Sequence, residues 1–421
     1  MKINSLKQYF IVVLLFFLPF HYALTINVGF QLKISEIALV FLILLNLKTI
    51  YCFFLNMNLG EKLFVLFVFW TILSFIINQF NHVEINIPIR YSYFFDSLSK
   101  LVYLIGMFLS YIIFKNHFKD KDSSLKFEVF YWGLVVACIY SWYLAILSIQ
   151  NMEPFLLPGM DKFPQHTLFS VGHYIRCGTF KEGNHFALLL LIGTFKAYFD
   201  RKWGFIILFA ITILLTVSTI AVLCLVSFVI FILIYFCINK KFYLLLVGLV
   251  ITFSISVYLV KDQKDVNLLI TQKIIPKENI DYSKDWGSFS RIQRLNYIKI
   301  AYQIACDNPL FGVGIANYGL YFDQYNKFEE NKILKIIPYK RITNNVYFEI
   351  LAEQGFVGII IFLSILIIIL NKINNPILKC QFVLVCVYLS TYPSYTLIFL
   401  YYFVAYIITY QNERNNKKQL G

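Results

Sequence analysis

From Trp203 to Asn239 the chain carries no charged residue: WGFIILFAITILLTVSTIAVLCLVSFVIFILIYFCIN. A helix that crosses a bilayer needs about 20 apolar residues. The run is too long for one such helix. It predicts two, joined by a tight turn around Val217-Ser218-Thr219. Comparable runs near 8–24, 34–55, 62–79, 98–115, 129–149, 184–199, 242–260, 346–370, 377–392 and 395–410 bring the expectation to about twelve spans.

The composition is 59% hydrophobic and 14% charged, with a mean hydropathy of +0.69. Soluble domains carry roughly 25% charged residues. The expected fold class is an all-α polytopic integral membrane protein. The first span follows Met1-Lys2, and no small-residue cleavage site comes after it. It is read as a retained helix.

A net charge of +14 would suit a nucleic-acid partner if the charge were gathered in one patch. Instead it recurs in alternate short loops: Lys115, Lys119, Lys121 and Lys126; Arg201 and Lys202; Lys240 and Lys241; Lys372; and the tail with Arg414, Lys417 and Lys418. This is the positive-inside pattern. It predicts both termini in the cytoplasm and no nucleic-acid partner. The eight cysteines show no paired spacing and no CxxC. Most fall within spans. Cys177 and Cys306 fall in predicted outside loops, where a disulfide is one option.

This topology leaves two long outside segments, Gln150 to Gly183 and Lys261 to Asn345. Loops of that length are functional or disordered. In the second, Ile292, Leu295, Ile298, Ala301, Tyr302 and Ala305 recur at helical spacing over Ser290–Asp307, and Asn308-Pro309 ends the pattern. The loop is expected to be partly helical and to lie over the membrane like a lid. The expected organisation is helices 1–5 in residues 1–150, an outer loop in 151–183, helices 6–9 in 184–260, a large outer loop in 261–345, helices 10–12 in 346–410 and a tail in 411–421.

The segment TNNVYFEILAEQGFVG (Thr343 to Gly358) places two carboxylates in the first turns of a membrane helix. Glu349 and Glu353 are four residues apart and share one helix face. Ionisable groups inside spans are costly and tend to be functional. Near a helix N-terminus they also gain from the macrodipole, which alone would account for them. Gly355 and Gly358 are read as positions where neighbouring helices approach. FGVGIANYG (Phe311 to Gly319) has no GK[ST] and no strand–turn–helix context. It supports only a tight turn that lets the backbone approach a partner. Arg176, Arg291 and Arg294 lie where a guanidinium can pair bidentately with phosphate oxygens or with lipid head groups.

Three segments then fall in order: RCGTFKEGNHFALLL ahead of a span, RIQRLNYIKIAYQIACDNPLFGVG in the large loop, and NNVYFEILAEQGFVG opening the next span. This order resembles the O-antigen ligase and polymerase superfamily, the Wzy/WaaL-like membrane glycosyltransferases. The resemblance covers about Arg176 to Gly358. Two positions depart from it. Asn344 stands where members usually have His, and Ser218-Thr219 stands where many have Ser-Arg. An Asn cannot take a proton at neutral pH, although it can hydrogen-bond a sugar or a phosphate.

The resemblance implies a GT-C-like architecture in the bacterial inner membrane, with its site on the outer face. It also implies a substrate glycan on undecaprenyl diphosphate and a transfer that needs no metal and no cofactor. Electrostatic stabilisation of the departing diphosphate would fall to Arg176 and Arg291, with Arg294 and Lys181 in support. Glu349 or Glu182 would take the acceptor proton. Asn184, Asn344, Asn345, Gly312, Gly314 and Glu353 are the expected substrate-binding positions. His173 and His185 are candidate stand-ins for the missing His. The leading expectation is a polysaccharide polymerase acting with membrane lipid and a chain-length regulator protein. A ligase to lipid A core or protein is the alternative within the family. A lipid-linked oligosaccharide transporter is the alternative outside it, although internal repeats are not seen.

Overall fold

The fold is that of a computed structural model, which describes residues 3–27, 31–80, 93–118, 124–160, 164–169, 172–240, 286–326 and 341–419. The helices, in chain order, are α1 (Ile3–Phe17), α2 (Ile34–Leu45), α3 (Leu47–Leu55), α4 (Leu59–Asn78), α5 (Tyr93–Phe118), α6 (Ser124–Ile149), α7 (Gly183–Phe199), α8 (Trp203–Leu215), α9 (Thr219–Lys240), α10 (Trp286–Asp307), α11 (Tyr318–Tyr325), α12 (Val346–Lys372), α13 (Pro376–Leu389) and α14 (Ile398–Gln419). Two antiparallel hairpins accompany them: β1 (Thr25–Asn27) with β2 (Gln31–Lys33), and β3 (His166–Phe169) with β4 (Gly172–Ile175). The chain is therefore helical but not purely so. The β3–β4 hairpin occupies the first long loop, where alternating His166, Leu168, Tyr174 and their neighbours pair as His166↔Ile175 and Thr167↔Tyr174.

Among the described residues, five helices are long and apolar enough to cross a membrane: Leu59–Asn78, Tyr93–Phe118, Glu128–Ile149, Thr219–Ile238 and Val346–Lys372. Shorter apolar helices run over Ser5–Phe17, Trp203–Leu215, Pro376–Leu389 and Ile398–Tyr410. The expected single span 34–55 is instead a pair, α2 and α3, bent by 70°. The break falls at Asn46, whose side-chain amide donates to the Leu42 carbonyl at 2.8 Å. Such local side-chain bonds compete with the helical ladder. The expected span 242–260 lies outside the described residues. The split at Val217–Thr219 appears as the gap between α8 and α9, with Val217 at φ 51.

Helix α7 is the centre of the bundle. Phe186 through Ala197 are buried without interruption. Without a hydrophobic drive between helices in lipid, such packing rests on van der Waals contact and on bonds between polar groups. A second, smaller core forms under the large loop from Tyr297, Ile300, Ala301, Ile304, Val313, Tyr318, Phe322 and Ala352. It corrects the expected face of α10. Leu295 and Tyr302, assigned to the apolar stripe, are 54% and 52% exposed. The buried stripe is rotated toward Tyr297, Ile300 and Ile304.

The ends of the bundle differ. At one, the tip of α4 and the starts of α5, α7 and α12 meet the β3–β4 hairpin, the α8–α9 turn and α10–α11 (the loop end). At the opposite end, the Lys372 ammonium donates to Asn58 Oδ1 at 2.8 Å, Lys202 pairs with Glu128 at 2.8 Å, and Lys115 reaches Glu61.

Candidate active site

Helix α12 begins at Asn345. Its side-chain carbonyl accepts from the backbone N–H groups of Tyr347 at 3.0 Å and Phe348 at 3.2 Å. Asn345, expected among the substrate-binding groups, is thus an N-cap that satisfies two otherwise orphaned donors. Asn344 before it has φ 52, a left-handed conformation that Asn tolerates better than most residues. It is half-buried, and among the described residues none bonds its side-chain amide.

One turn on, Glu349 and Glu353 are 5% and 3% exposed. Both meet Lys100. The Lys100 ammonium donates to Glu349 Oε1 and, at 2.7 Å, to Glu353 Oε2, and it lies 5.6 Å from the centre of the Tyr395 ring. Glu349 Oε2 is buried and has no hydrogen-bond partner among the described residues. Two carboxylates thus share one ammonium. Glu353, expected at a substrate-binding position, is held by a cation from another helix. The cation is a lysine that sequence reasoning passed over. A signal for it exists. Tyr93, Ser97 and Lys100 follow i, i+4, i+7 spacing and so share one face of α5. The Tyr93 hydroxyl donates to the Val313 carbonyl at 3.4 Å, and Ser97 Oγ donates to Asn317 Oδ1 at 3.0 Å.

The glycines hold the loop against this helix. Gly355 has φ 70 and ψ −172 and interrupts α12. The 309–314 turn enters the break. The Phe356 N–H donates to the Pro309 carbonyl at 2.8 Å, Val313 N–H to Ala352 at 3.0 Å and Gly314 N–H to Glu353 at 2.9 Å. From α4, Ser74 Oγ donates to the Phe311 carbonyl at 2.6 Å and Asn78 to that of Gly312 at 3.2 Å. A side-chain carbon on Gly312 would lie 2.4 Å from the Glu353 backbone, and one on Gly355 2.4 Å from the Leu310 carbonyl. Gly312 and Gly314, expected near substrate, are the points where loop backbone meets helix backbone. Gly355, expected to admit a neighbouring helix, admits this turn instead. Gln354 seals the contact. Its amide donates to the Tyr395 hydroxyl at 2.8 Å and accepts from Thr71 at 3.0 Å.

A second cluster surrounds Arg176. Its guanidinium points to the carbonyls of Thr216 at 3.4 Å and Val217 at 3.5 Å in the α8–α9 turn, and its Nε is buried with no partner among the described residues. Burial holds this guanidinium below its ordinary value, and the Glu182 carboxylate opposes that shift. Arg294 of α10 is near enough to act on Arg176 electrostatically. Glu182 Oε2 lies 3.8 Å from His185 Nε2. The Asn184 carbonyl accepts from the Tyr388 hydroxyl at 2.8 Å. Lys181 is exposed. The side chains of Arg291 and His173 lie outside the described residues. Arg341, which sequence reasoning did not nominate, is 3% exposed and sits 5.9 Å from the Phe322 ring centre.

Three tyrosines connect the clusters. Tyr388 serves Asn184 and Ser218, Tyr392 packs on His185 with ring centres 4.5 Å apart and planes tilted by 42°, and Tyr395 serves Gln354 beneath Lys100. Tyr392 and Tyr395 are three residues apart, so their backbones are separated by about 11 Å at most. The loop end thus offers cations around Arg176 and an excess carboxylate at Glu349. That pairing suits a transfer in which one group leaves as an anion and another loses a proton. Among the described residues no group of three or more His, Cys, Asp or Glu forms a metal-binding cluster.

No curated protein matches the chain. Residues 204–363 match the family model described as O-antigen ligase. The matched stretch contains α9, α10, the 309–314 turn, Glu349 and Glu353, whereas Lys100, Arg176 and Glu182 precede it. That segment is similar to the O-antigen ligase family, which supports a place for it in the O-antigen ligase and polymerase-like superfamily.

Proposed function

We propose that this chain is a polysaccharide polymerase. It takes a growing glycan from undecaprenyl diphosphate and joins it to a new lipid-linked repeat unit at the outer face of the inner membrane. The observation that carries this reading is the Glu349 carboxylate: one oxygen held by Lys100, the other buried without a partner among the described residues. In the transfer, the bond from the anomeric carbon to the diphosphate oxygen breaks, and a bond from that carbon to the acceptor oxygen forms. The acceptor proton passes to Glu349 Oε2. The diphosphate leaves with its electron pair, and Arg176, Arg294 and Arg291 stabilise its growing charge. Fixed cations that meet charge as it develops supply the largest single contribution to such catalysis. Glu182, on the Arg176 side and beside His185, is better placed to hold the cationic cluster than to reach the same proton.

In this reading the loop end faces outward and both termini are cytoplasmic, as the lysines and arginines at the opposite end support. Asn344 in place of the family's usual His favours a polymerase over a ligase. A chain-length regulator would act as a separate partner.

A gel of surface polysaccharide from a strain lacking the gene tests the reading. Core bearing a single repeat unit, with the ladder gone, is the expected result. Naked core with long polymer still on lipid carrier would make the chain a ligase. Repeat units retained on the inner leaflet would make it a transporter.

A further inference from the structure

Lys100 lies in a helix outside the matched segment and far from every motif. We propose that Lys100 is a positioning residue for the transfer: by holding Glu349 Oε1 and Glu353 Oε2 together, it fixes the Glu349 carboxylate so that Oε2 faces the acceptor hydroxyl. This inference rests on the polymerase reading for the identity of the acceptor.

The argument begins with charge. An ammonium and two carboxylates, all at most 16% exposed, leave one negative charge in a buried place. A buried charge needs bonds as well as a counter-charge. The described residues supply them to Glu349 Oε1 and to Glu353 Oε2 but not to Glu349 Oε2. The titratable groups facing Glu349 are Lys100 from α5, Glu353 from its own helix and the Tyr395 phenol ahead of α14. From α4 the helix meets neutral Thr71 and Ser74. Lys100 is thus the cation that both sets the carboxylate's orientation and offsets its charge. The same face of α5 bonds the turn at Val313 and Asn317. Seating the loop and aiming the carboxylate are therefore coupled through one helix.

The test uses full-length protein in native membranes, normalised by immunoblot. It is supplied with the lipid-linked repeat unit extracted from a strain lacking the gene, and in parallel with lipid A core. Wild type on the two acceptors decides between polymerase and ligase. The variants are then compared on whichever acceptor wild type uses, so the two ideas fail separately. For Lys100→Met, kcat is expected to fall about 100-fold or more, the range lost with a misplaced proton acceptor, while KM stays within about threefold. Lys100→Arg keeps a donor to both carboxylates and should recover most of the rate. The double variant Lys100→Met with Glu353→Gln restores the net charge of the cluster without the orienting bond. It should regain protein level but not kcat. Wild-type kcat in Lys100→Met, or recovery of kcat in the double variant, would overturn the proposal. The second outcome would make Lys100 a charge balance only.

Discussion

Lys100 and Lys115 are fifteen positions apart on α5, about 22 Å along its axis, and each reaches a carboxylate on another helix. Their surroundings differ. Glu61 opposite Lys115 is fully used: Oε1 takes Lys115 and the Tyr111 hydroxyl at 3.0 Å, and Oε2 takes the Asn58 N–H at 2.9 Å as part of a capping box. Lys196 on α7 repeats the pattern. Asp200 Oδ2 accepts from Lys196 and from the Tyr131 hydroxyl at 2.7 Å. In both pairs one cation meets one anion and a tyrosine completes the set. Around Lys100 the carboxylates outnumber the cation, and an oxygen is left over. Balanced pairs tie helices together. The unbalanced cluster leaves one buried carboxylate oxygen without a bond among the described residues.

Glu349→Gln should separate the two kinds most sharply. Polymer is expected to fall by about 10²–10⁴-fold, the usual contribution of a positioned proton acceptor, with protein level intact. A near-normal ladder on the gel would mean that the surplus carboxylate is merely tolerated. Arg176→Ala comes next. Loss of a cation that meets the departing diphosphate should cost about 10²–10³-fold in kcat, again without loss of protein, and normal chain lengths would remove Arg176 from the chemistry. For the balanced cluster the readout reverses. Glu61→Gln leaves the Lys115 ammonium uncompensated and should destabilise the fold by about 3–5 kcal/mol. Protein level should fall in immunoblots while each surviving molecule turns over normally. A lowered turnover per molecule would erase the distinction between the clusters. Asn344→Ala should have the smallest effect, less than about tenfold in polymer, because an amide there can offer a hydrogen bond but no proton transfer. Complete loss would show that this position is catalytic despite the departure from His.

Much of the loop end can be read from short-range patterns. Asn308-Pro309 stops α10 where the sequence predicts, α8 and α9 part at Val217–Thr219, and Glu349 and Glu353 share a face because they are four residues apart. What escapes such reading depends on distant partners. The Tyr93–Ser97–Lys100 stripe marks a polar face on α5, but a single lysine early in an apolar helix also reads as one that snorkels to the interface, and the stripe does not name Glu349 as the partner. Gly355 reads as a small packing residue because membrane helices often carry one, and its positive φ follows only from the turn that enters there. The buried face of α10 is shifted because Leu295 and Tyr302 fit an apolar stripe as well as Tyr297 and Ile304 do. The core that decides between them is supplied by Val313, Tyr318 and Ala352.

The separation of Lys100 from its partners also sets a schedule for biogenesis. Glu61 precedes Lys115 by 54 residues and Asp200 follows Lys196 by four, so those pairs can close as soon as their helices enter the membrane. Glu349 is 249 residues downstream of Lys100. At about 5–20 residues per second the ribosome needs on the order of 10–50 s to cover that distance. During that interval α5 holds its ammonium without these carboxylates, at a cost below the about 2.5–3.5 kcal/mol that the translocon scale gives at mid-membrane, because Lys100 lies toward the loop end. The Lys100 cluster is thus the last of the three to close, and it closes only when α12 arrives.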